Sequence, residues 1–342
     1  MLRDISATKR IRKNPMRVLI AIVVIAALAW SGYWFIGARA LDKGLRSGIE
    51  AARAQGMQIE TEQLRVTGFP NRFDTMIDDP QIATADGRFG WAGPFLQIFA
   101  LSYRPNEVIV ALPDTHTVTT PSGLYEVTAP GAKASAQFRL KKTLPLDHAQ
   151  LVAENVTLTR EGKSLSMARL LAATRVPEGA GPEVQNIGIS VDDLAISAEI
   201  APDLPDAARI VDGLRLDATV GLTGPLDRNA IEVAPVAIRS IDLTELKVDW
   251  AGIGMSATGN LSVDARGIPT GPVEVSLANW PSAIDLIIDA GLIPAERADA
   301  VRQALSLMAL MGGGKRALTV PLDLREGRVF LGPLPIGMAP RF

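Results

Sequence analysis

The sequence predicts a β-rich α+β fold, in which a single amino-terminal transmembrane helix is followed by curved antiparallel β-sheet capped by a few helices. Three observations support this class. An uncharged run fills residues 18–36, short segments of alternating polarity begin near residue 57, and a block with helical spacing occupies residues 281–311. Alternation with a period of two is typical of antiparallel strands that bury one face. No strand–helix–strand repeat occurs, so an open groove and a two-sheet sandwich both fit the pattern.

The uncharged run has the length and polarity of a membrane-spanning helix. About 20 apolar residues cross a bilayer core of about 30 Å, and six basic residues and one acidic residue precede this run. They are Arg3, Lys9, Arg10, Arg12, Lys13 and Arg17, with Asp4 as the acidic residue. Because basic residues stay on the cytoplasmic side, we expect a basic cytoplasmic arm at 1–17, a transmembrane anchor at 18–38 and an exported remainder. Trp30, Tyr33 and Trp34 cluster at the far end of the run, where we expect an aromatic belt at the outer headgroups.

Two other interpretations of the run were weighed against the anchor. A secretory signal peptide needs a small-residue cleavage site, and Ala38-Arg39-Ala40 offers one, so cleavage after Ala40 stays open. The run is nevertheless longer than the roughly 7–15 residues of a signal core. A buried helix of a soluble protein fits poorly, because no polar stripe interrupts the run. The sequence therefore favours an uncleaved anchor.

The pattern of polar and apolar residues changes along the part of the chain that we expect to be exported. Leu41, Leu45 and Ile49 recur at helical spacing, whereas the segments beyond residue 57 alternate and are separated by turn residues. The expected divisions are a juxtamembrane helix at 39–56, a first β-rich half at 57–176, a linker at 177–182, and a second β-rich half at 183–342 with a helix pair at 281–311. A hairpin formed by 317–324 and 327–331 is expected to close the chain.

Composition excludes several kinds of chemistry. The chain of 342 residues has no cysteine and two histidines, so disulfides, thiolate catalysis and cysteine-based metal sites are ruled out. The part beyond the basic arm is mildly acidic, which argues against nucleic acid as a partner, because nucleic-acid binding depends on clustered Lys and Arg. We expect no cofactor and no metal site.

The two histidines give the one remote route to an enzyme. His116 and His148 lie close to Asp114 and Asp147, and a carboxylate can orient a histidine as a general base. No Gly-x-Ser-x-Gly elbow supplies an exposed serine nucleophile. Surface positions at turns or strand ends are the simpler interpretation of both histidines, and we expect no enzymatic activity.

Aromatic residues are concentrated in residues 68–106, interleaved with arginines and turn residues. Aromatic and arginine side chains are enriched in the cores of interfaces, so this segment is a candidate docking surface for a protein partner or an amphipathic ligand. The candidate residues are Phe69, Arg72, Phe73, Trp91, Phe95, Tyr103 and Arg104. The alternative is a corner of the core in which Arg72 pairs with Asp74.

Several motifs resemble an uncharacterised bacterial family, the domain of unknown function 2125, found mainly in alphaproteobacteria. They are Trp30–Ala40, Gly68-Phe69-Pro70-Asn71-Arg72-Phe73-Asp74, Ala100–Asn106 and Gly327–Pro335. The resemblance covers nearly the whole chain and implies a membrane-anchored periplasmic protein without assigned catalytic residues. The strand-rich second half also resembles AsmA-like envelope proteins, which implies a long β-groove that handles lipid and is carried on one amino-terminal helix.

The sequence thus predicts a non-enzymatic protein of the inner membrane with most of its chain in the periplasm. Its expected role is to bind lipid or another apolar ligand, or to assist envelope assembly. The main alternative is an interaction scaffold that docks an envelope protein through residues 68–106, and a hydrolase is a remote third. The inner membrane, contacted through residues 18–38, is the expected partner in every case.

Overall fold

The structure, a computed structural model, describes residues 15–202, 204–232, 236–290, 293, 295–312 and 317–342. Most of the basic arm expected at 1–17 lies outside these residues, as does part of the connection within the expected helix pair. The helices are α1 (Pro15–Ala54), α2 (Arg228–Glu232), α3 (Trp280–Asp289) and α4 (Ala295–Gly312), with a 3₁₀ turn at Asp206–Ala208.

Helix α1 joins the expected anchor and juxtamembrane helix into one rod of 40 residues, about 60 Å long. Its first half is long and apolar enough to cross a membrane, and little of that part is buried. Helix α1 ends at Ala54, and Gly56, the expected last residue of the juxtamembrane helix, caps it. Gly56 has φ +92° and donates its N–H to Arg53 O at 2.9 Å, while Met57 donates to Ala52 O at 3.1 Å. This paired geometry is a Schellman cap, which favours glycine at the left-handed position.

The first ten strands form five long strands, each broken once. They are β1 (Gln58–Glu60), β2 (Gln63–Thr67), β3 (Arg72–Asp78), β4 (Gln81–Ala83), β5 (Gly90–Ala92), β6 (Phe95–Leu101), β7 (Arg104–Ala111), β8 (Thr115–Thr120), β9 (Gly123–Thr128) and β10 (Lys133–Phe138). The breaks follow Glu60, Asp78, Ala92, Ala111 and Thr128, and the last four contain a proline. Proline has no N–H to donate to a ladder, and the register places the breaks side by side in one line of breaks across these five strands.

The remaining strands continue the same antiparallel order. They are β11 (Leu146–Arg160), β12 (Lys163–Arg175), β13 (Val184–Ile196), β14 (Ile210–Leu222), β15 (Ile238–Trp250), β16 (Ile253–Val263), β17 (Pro269–Ala278), β18 (Ala317–Arg325), β19 (Arg328–Leu331) and β20 (Leu334–Met338). Strand β11 pairs with β10 through its first half and with β9 through its second. Residues 177–182 form the loop between β12 and β13, which pair directly, so the sheet continues across the expected linker.

The result is a large open antiparallel sheet, which decides between the two architectures that the sequence left open. Helix α1 packs on β2, and α2 lies in the connection between β14 and β15. These strands are far apart in the strand order, but the two helices are in contact. In a flat sheet β2 and β14 would stand about 38 Å apart, at roughly 4.8 Å per strand. The sheet therefore curves, as expected.

The two edges formed by the turns differ in their relation to α1. The turns at 68–71, 102–103 and 139–145 lie on one edge, here called the proximal edge, because they are nearest the apolar half of α1. The turns at 121–122 and 161–162 lie on the distal edge. From the proximal edge α1 runs along β1 and β2, and Arg53 Nε donates to Ile59 O at 2.9 Å near its end.

Candidate functional site

Three of the candidate aromatic and arginine residues lie against the end of the apolar run of α1. Phe73 is 5% exposed and clusters with Trp34 and Ala38, with its ring centroid 6.0 Å from that of Trp34. The ring of Phe69 stacks on Phe35 at 5.6 Å. Much of the expected docking surface is thus occupied by the chain's own helix.

Hydrogen bonds fix this contact in register. They run from Trp30 Nε1 to Pro70 O (3.0 Å), from Tyr33 Oη to Ser102 O (2.6 Å) and from Trp34 Nε1 to Arg72 O (2.7 Å). Each donor belongs to an aromatic side chain of α1, and each acceptor is a backbone carbonyl at the proximal edge. The aromatic cluster that the sequence assigned to a membrane belt therefore also bonds to the sheet.

The arginines of the segment have local partners. Arg72 pairs with Asp74 at 2.6 Å, as the core-corner alternative expected, and its guanidinium lies 5.7 Å from the centroid of Phe99. Arg104 lies in an exposed ion pair with Glu107, with 3.6 Å between the charged atoms. Exposed pairs of this kind contribute little to stability.

Trp91 and Phe95 lie away from this contact. Trp91 is in β5, across the line of breaks, and its ring centroid is 5.8 Å from that of His116. Phe95 begins β6 at the end far from the proximal edge and is opposite Asp78. The structure therefore brings Phe69, Arg72 and Phe73 together at α1 and places Tyr103 and Arg104 in the neighbouring turn. Docking of a partner on this segment stays a prediction.

The histidines have the local contacts of structural residues. His116 is buried, and its Nδ1 lies 3.2 Å from Pro113 O. His148 Nδ1 lies 3.2 Å from Asp147 Oδ2, and Arg139 also binds Asp147 at 2.7 Å. The Arg139 guanidinium, with His148, holds the pKa of the Asp147 carboxyl below its ordinary value. Among the described residues, no group of three or more His, Asp or Glu is arranged to hold a metal ion.

An apolar row crosses the sheet from β2 to β18, one residue per strand, each opposite the next in the ladder. The row is Val66, Thr75, Ile98, Val110, Ala134, Leu151, Ala172, Ile189, Leu216, Leu246, Ala257, Val275 and Val320. Only Thr75 is polar. Side chains opposite each other in a ladder lie on one face, which we call the groove face.

One residue further along each strand, the opposite face is mostly polar. That row is Arg65, Met76, Gln97, Ala111, Lys133, Val152, Leu171, Ser190, Arg215, Lys247, Ser256, Ser276 and Thr319. Because a step of one residue reverses the face, the contrast shows that the sheet has one apolar side along its whole width.

Helices contact the groove face mainly at its two ends. Helix α1 packs on β1 and β2, and α3 and α4 pack on β16 to β18, where Leu305, Val301 and Ala283 form a buried cluster with the strands. Between these ends, the row from Ile98 to Leu246 is only half-buried. This unbroken row of half-buried apolar side chains makes the middle of the groove face the candidate site for an apolar ligand.

One buried polar side chain of the groove face, Gln185, has a hydrogen-bond donor without a partner among the described residues. Gln185 on β13 is opposite Val220, and its Oε1 accepts a hydrogen bond from Thr174 at 2.9 Å. Its Nε2 has no hydrogen-bond partner among the described residues. Gln185 is 1% exposed, and because an unsatisfied buried donor costs free energy, its Nε2 is a local cost to the fold at the proximal end of β13.

A cavity of about 390 Å³ lies on the opposite face near the proximal edge. Its lining includes Arg72, Phe99, Ile109, Gln137 and His148. These side chains share a face by the register of β3, β6, β7, β10 and β11. The cavity is open and mainly apolar, and Glu107 and Ser135 are the other polar residues of its lining.

The comparisons with known proteins identify a family and no closer relative. The family model described as an uncharacterized protein conserved in bacteria (DUF2125) matches residues 34–340. No curated protein and no solved structure matches the chain at a significant level, so the likeness to AsmA-like proteins stays a sequence-based prediction. Since the matched region runs from the docked aromatic end of α1 to the last residues after β20, the chain belongs to the DUF2125 family.

Proposed function

We propose that this protein is an inner-membrane-anchored, periplasmic, non-enzymatic protein whose groove face holds the acyl chains of lipids. The observation that carries the proposal is the apolar row of the groove face, which continues across 13 strands while the opposite row is mostly polar. A ladder of 13 strands spans about 58 Å along the row at roughly 4.8 Å per strand.

The dimensions suit acyl chains. Half of a hydrocarbon core of about 30 Å, or about 15 Å, approximates the reach of one lipid tail. The half-buried middle of the row, from Ile98 on β6 to Leu246 on β15, spans eight strands and so about 34 Å. This stretch is long enough for a tail to lie across several strands without meeting a charged side chain in the row.

The proposed location is supported by α1 and by the residues before it. The apolar half of α1 is exposed, which suits a lipid environment. The basic residues at its amino-terminal side favour a cytoplasmic start. Membership of a bacterial family supports the periplasm as the compartment beyond the inner membrane.

The orientation can be tested by cysteine labelling, since the natural chain has no cysteine to interfere. In intact spheroplasts, we expect a membrane-impermeant maleimide to label Lys163→Cys on the distal edge and to leave Lys9→Cys unlabelled until the cells are lysed. The cysteine-free parent is the blank. Labelling of residue 9 but not residue 163 would refute the orientation.

Lipid binding can be tested with two adjacent positions on β13. Ile189→Glu places a carboxylate in the apolar row, whereas Ser190→Glu places it on the opposite face. Because burying a charge against apolar chains is costly, we expect Ile189→Glu to weaken binding of a fluorescent fatty acid at least about tenfold, equal to about 1.4 kcal/mol. Native mass spectrometry should show the same loss of co-purified lipid.

The Ser190→Glu variant is the matched control and should bind like the natural protein. Both variants should keep the circular dichroism spectrum and melting temperature of the parent, because both positions are only half-buried. The proposal is wrong if the natural protein carries no lipid and binds no fatty acid, or if the two variants lose binding equally.

A further inference from the structure

The proximal edge exposes large apolar side chains in three successive turns. Phe69, Tyr103 and Leu140 each belong to a different turn, and Leu140 is 77% exposed. Leu144 follows in the same turn as Leu140, with the exposed residues Lys141 and Lys142 between them. Large apolar residues beside lysines are typical of surfaces that lie in a membrane interface.

The depth of two of these turns is fixed by their bonds to α1. The β2–β3 turn accepts from Trp30, and the β6–β7 turn accepts from Tyr33. At 1.5 Å per residue, Trp30 and Tyr33 lie about 9 Å and about 4.5 Å before Ile36, the last residue of the apolar run. If this run spans the bilayer, both turns lie at the level of the headgroups and the outer acyl boundary.

The β10–β11 turn lies on the same edge and at a similar level along the strands. Arg72 is opposite Leu101 at the ends of β3 and β6, and Glu107 on β7 is opposite Gln137 at the end of β10. From β3 to β10 the strand spacing adds up to about 14 Å. The turn carrying Leu140 therefore stands beside the first two turns, and not above them.

We propose that the proximal edge rests on the outer headgroup layer of the bilayer that α1 spans. Phe69, Tyr103, Leu140 and Leu144 then contact the acyl boundary, and Lys141 and Lys142 face anionic headgroups, to which each basic residue near the surface is attracted. This inference depends on the proposed anchoring by α1, but it does not depend on a lipid in the groove.

The contact gives the groove face a source of lipid. Because α1 runs along β1 and β2, the strands stand upright from the proximal edge, and the proximal margin of the groove face meets the membrane surface. Ala149 and Ile187 are groove-face residues at this margin. The connection that carries α2 also lies there, since Leu146 donates to Leu226 O and α2 touches α1, so a tail that leaves the outer leaflet would enter the groove past this connection.

The test uses full-length single-cysteine variants labelled with the environment-sensitive dye NBD and reconstituted into vesicles of phosphatidylcholine and phosphatidylglycerol. We expect NBD at Leu140→Cys and at Tyr103→Cys to be blue-shifted, and to be quenched by phosphatidylcholine carrying a nitroxide near its headgroup. NBD at Lys163→Cys is the control, because this residue lies about 46 Å along β11 from the proximal edge and should show neither effect.

Two further labels separate this inference from the proposed function. NBD at Ile25→Cys, within the apolar half of α1, reports anchoring by its blue shift, and a blue shift there without quenching at 103 and 140 would overturn the edge contact alone. Quenching at 103 but not at 140 would overturn the extension to the β10–β11 turn. The background variant Ile189→Glu should leave all labels unchanged, because it alters the groove and not the edge.

Discussion

Replacing Phe73 by alanine is expected to lower the free energy of unfolding by about 3–5 kcal/mol, the usual cost of removing a buried aromatic ring. Phe73 is 5% exposed, and its ring lies between Trp34 and Ala38 of α1 and the strand β2. The loss therefore falls on the contact that holds the sheet to the helix. Thermal or denaturant unfolding of the full-length protein in detergent measures it.

The matched control is Phe89→Ala in the β4–β5 turn. Phe89 is exposed and lies near Arg88, whose guanidinium is 6.0 Å from the ring centroid. An exposed contact of this kind contributes about 1 kcal/mol or less. Equal losses in the two variants would show that the contact between Phe73 and α1 stabilises the protein no more than an exposed aromatic contact does.

The same contact can be approached from the helix. A Cβ atom at Gly37 would lie 2.7 Å from Phe73 Cζ, whereas one at Gly44 would meet no atom within 4 Å. Gly37→Leu should thus destabilise the protein by about 1–3 kcal/mol through overpacking. Gly44→Leu should stabilise it by a fraction of a kcal/mol, because leucine has the higher helix propensity. Two glycines seven residues apart on one helix should therefore respond with opposite signs.

The docking itself could not be predicted from the sequence, although both partners were visible. The sequence placed Trp30, Tyr33 and Trp34 in a membrane belt and Phe69 and Phe73 in a docking surface, each from local composition. Nothing local to either segment indicates that they meet, because 32 or more residues separate them in the chain and the contact depends on the register of α1 on β2. The one available signal was the helical spacing of the apolar residues, which continues past Arg39 without a break, as α1 does.

The strands and the end of α1 could be predicted from the sequence, and the reason is physical. Alternation within a strand and a glycine at a left-handed cap are properties of adjacent residues. The groove face is different, since it depends on which alternating set of each strand faces the same side. That choice is made by the register of twelve successive strand pairs, and four of these pairs contain a register shift that one strand does not reveal.

The largest effect outside α1 is expected at the far end of the groove face, where Leu305→Ala should lower the free energy of unfolding by about 2–5 kcal/mol. Leu305 on α4 is 2% exposed and packs in the cluster that joins α3 and α4 to β16–β18. Its loss leaves a cavity between the helices and the sheet. Hydrogen exchange should then rise in α4 and in β18, the strand that α4 contacts.

The same helix supplies the control, because Leu310 is 82% exposed and Leu310→Ala makes the same chemical change. This variant should alter the free energy of unfolding by no more than about 0.5 kcal/mol. If both leucines prove equally important, α4 is held by contacts other than those of its buried side. If Leu305 alone is important for stability, the helix pair closes one end of the groove face as α1 closes the other. Only the middle strands, β6 to β15, are then left for a ligand.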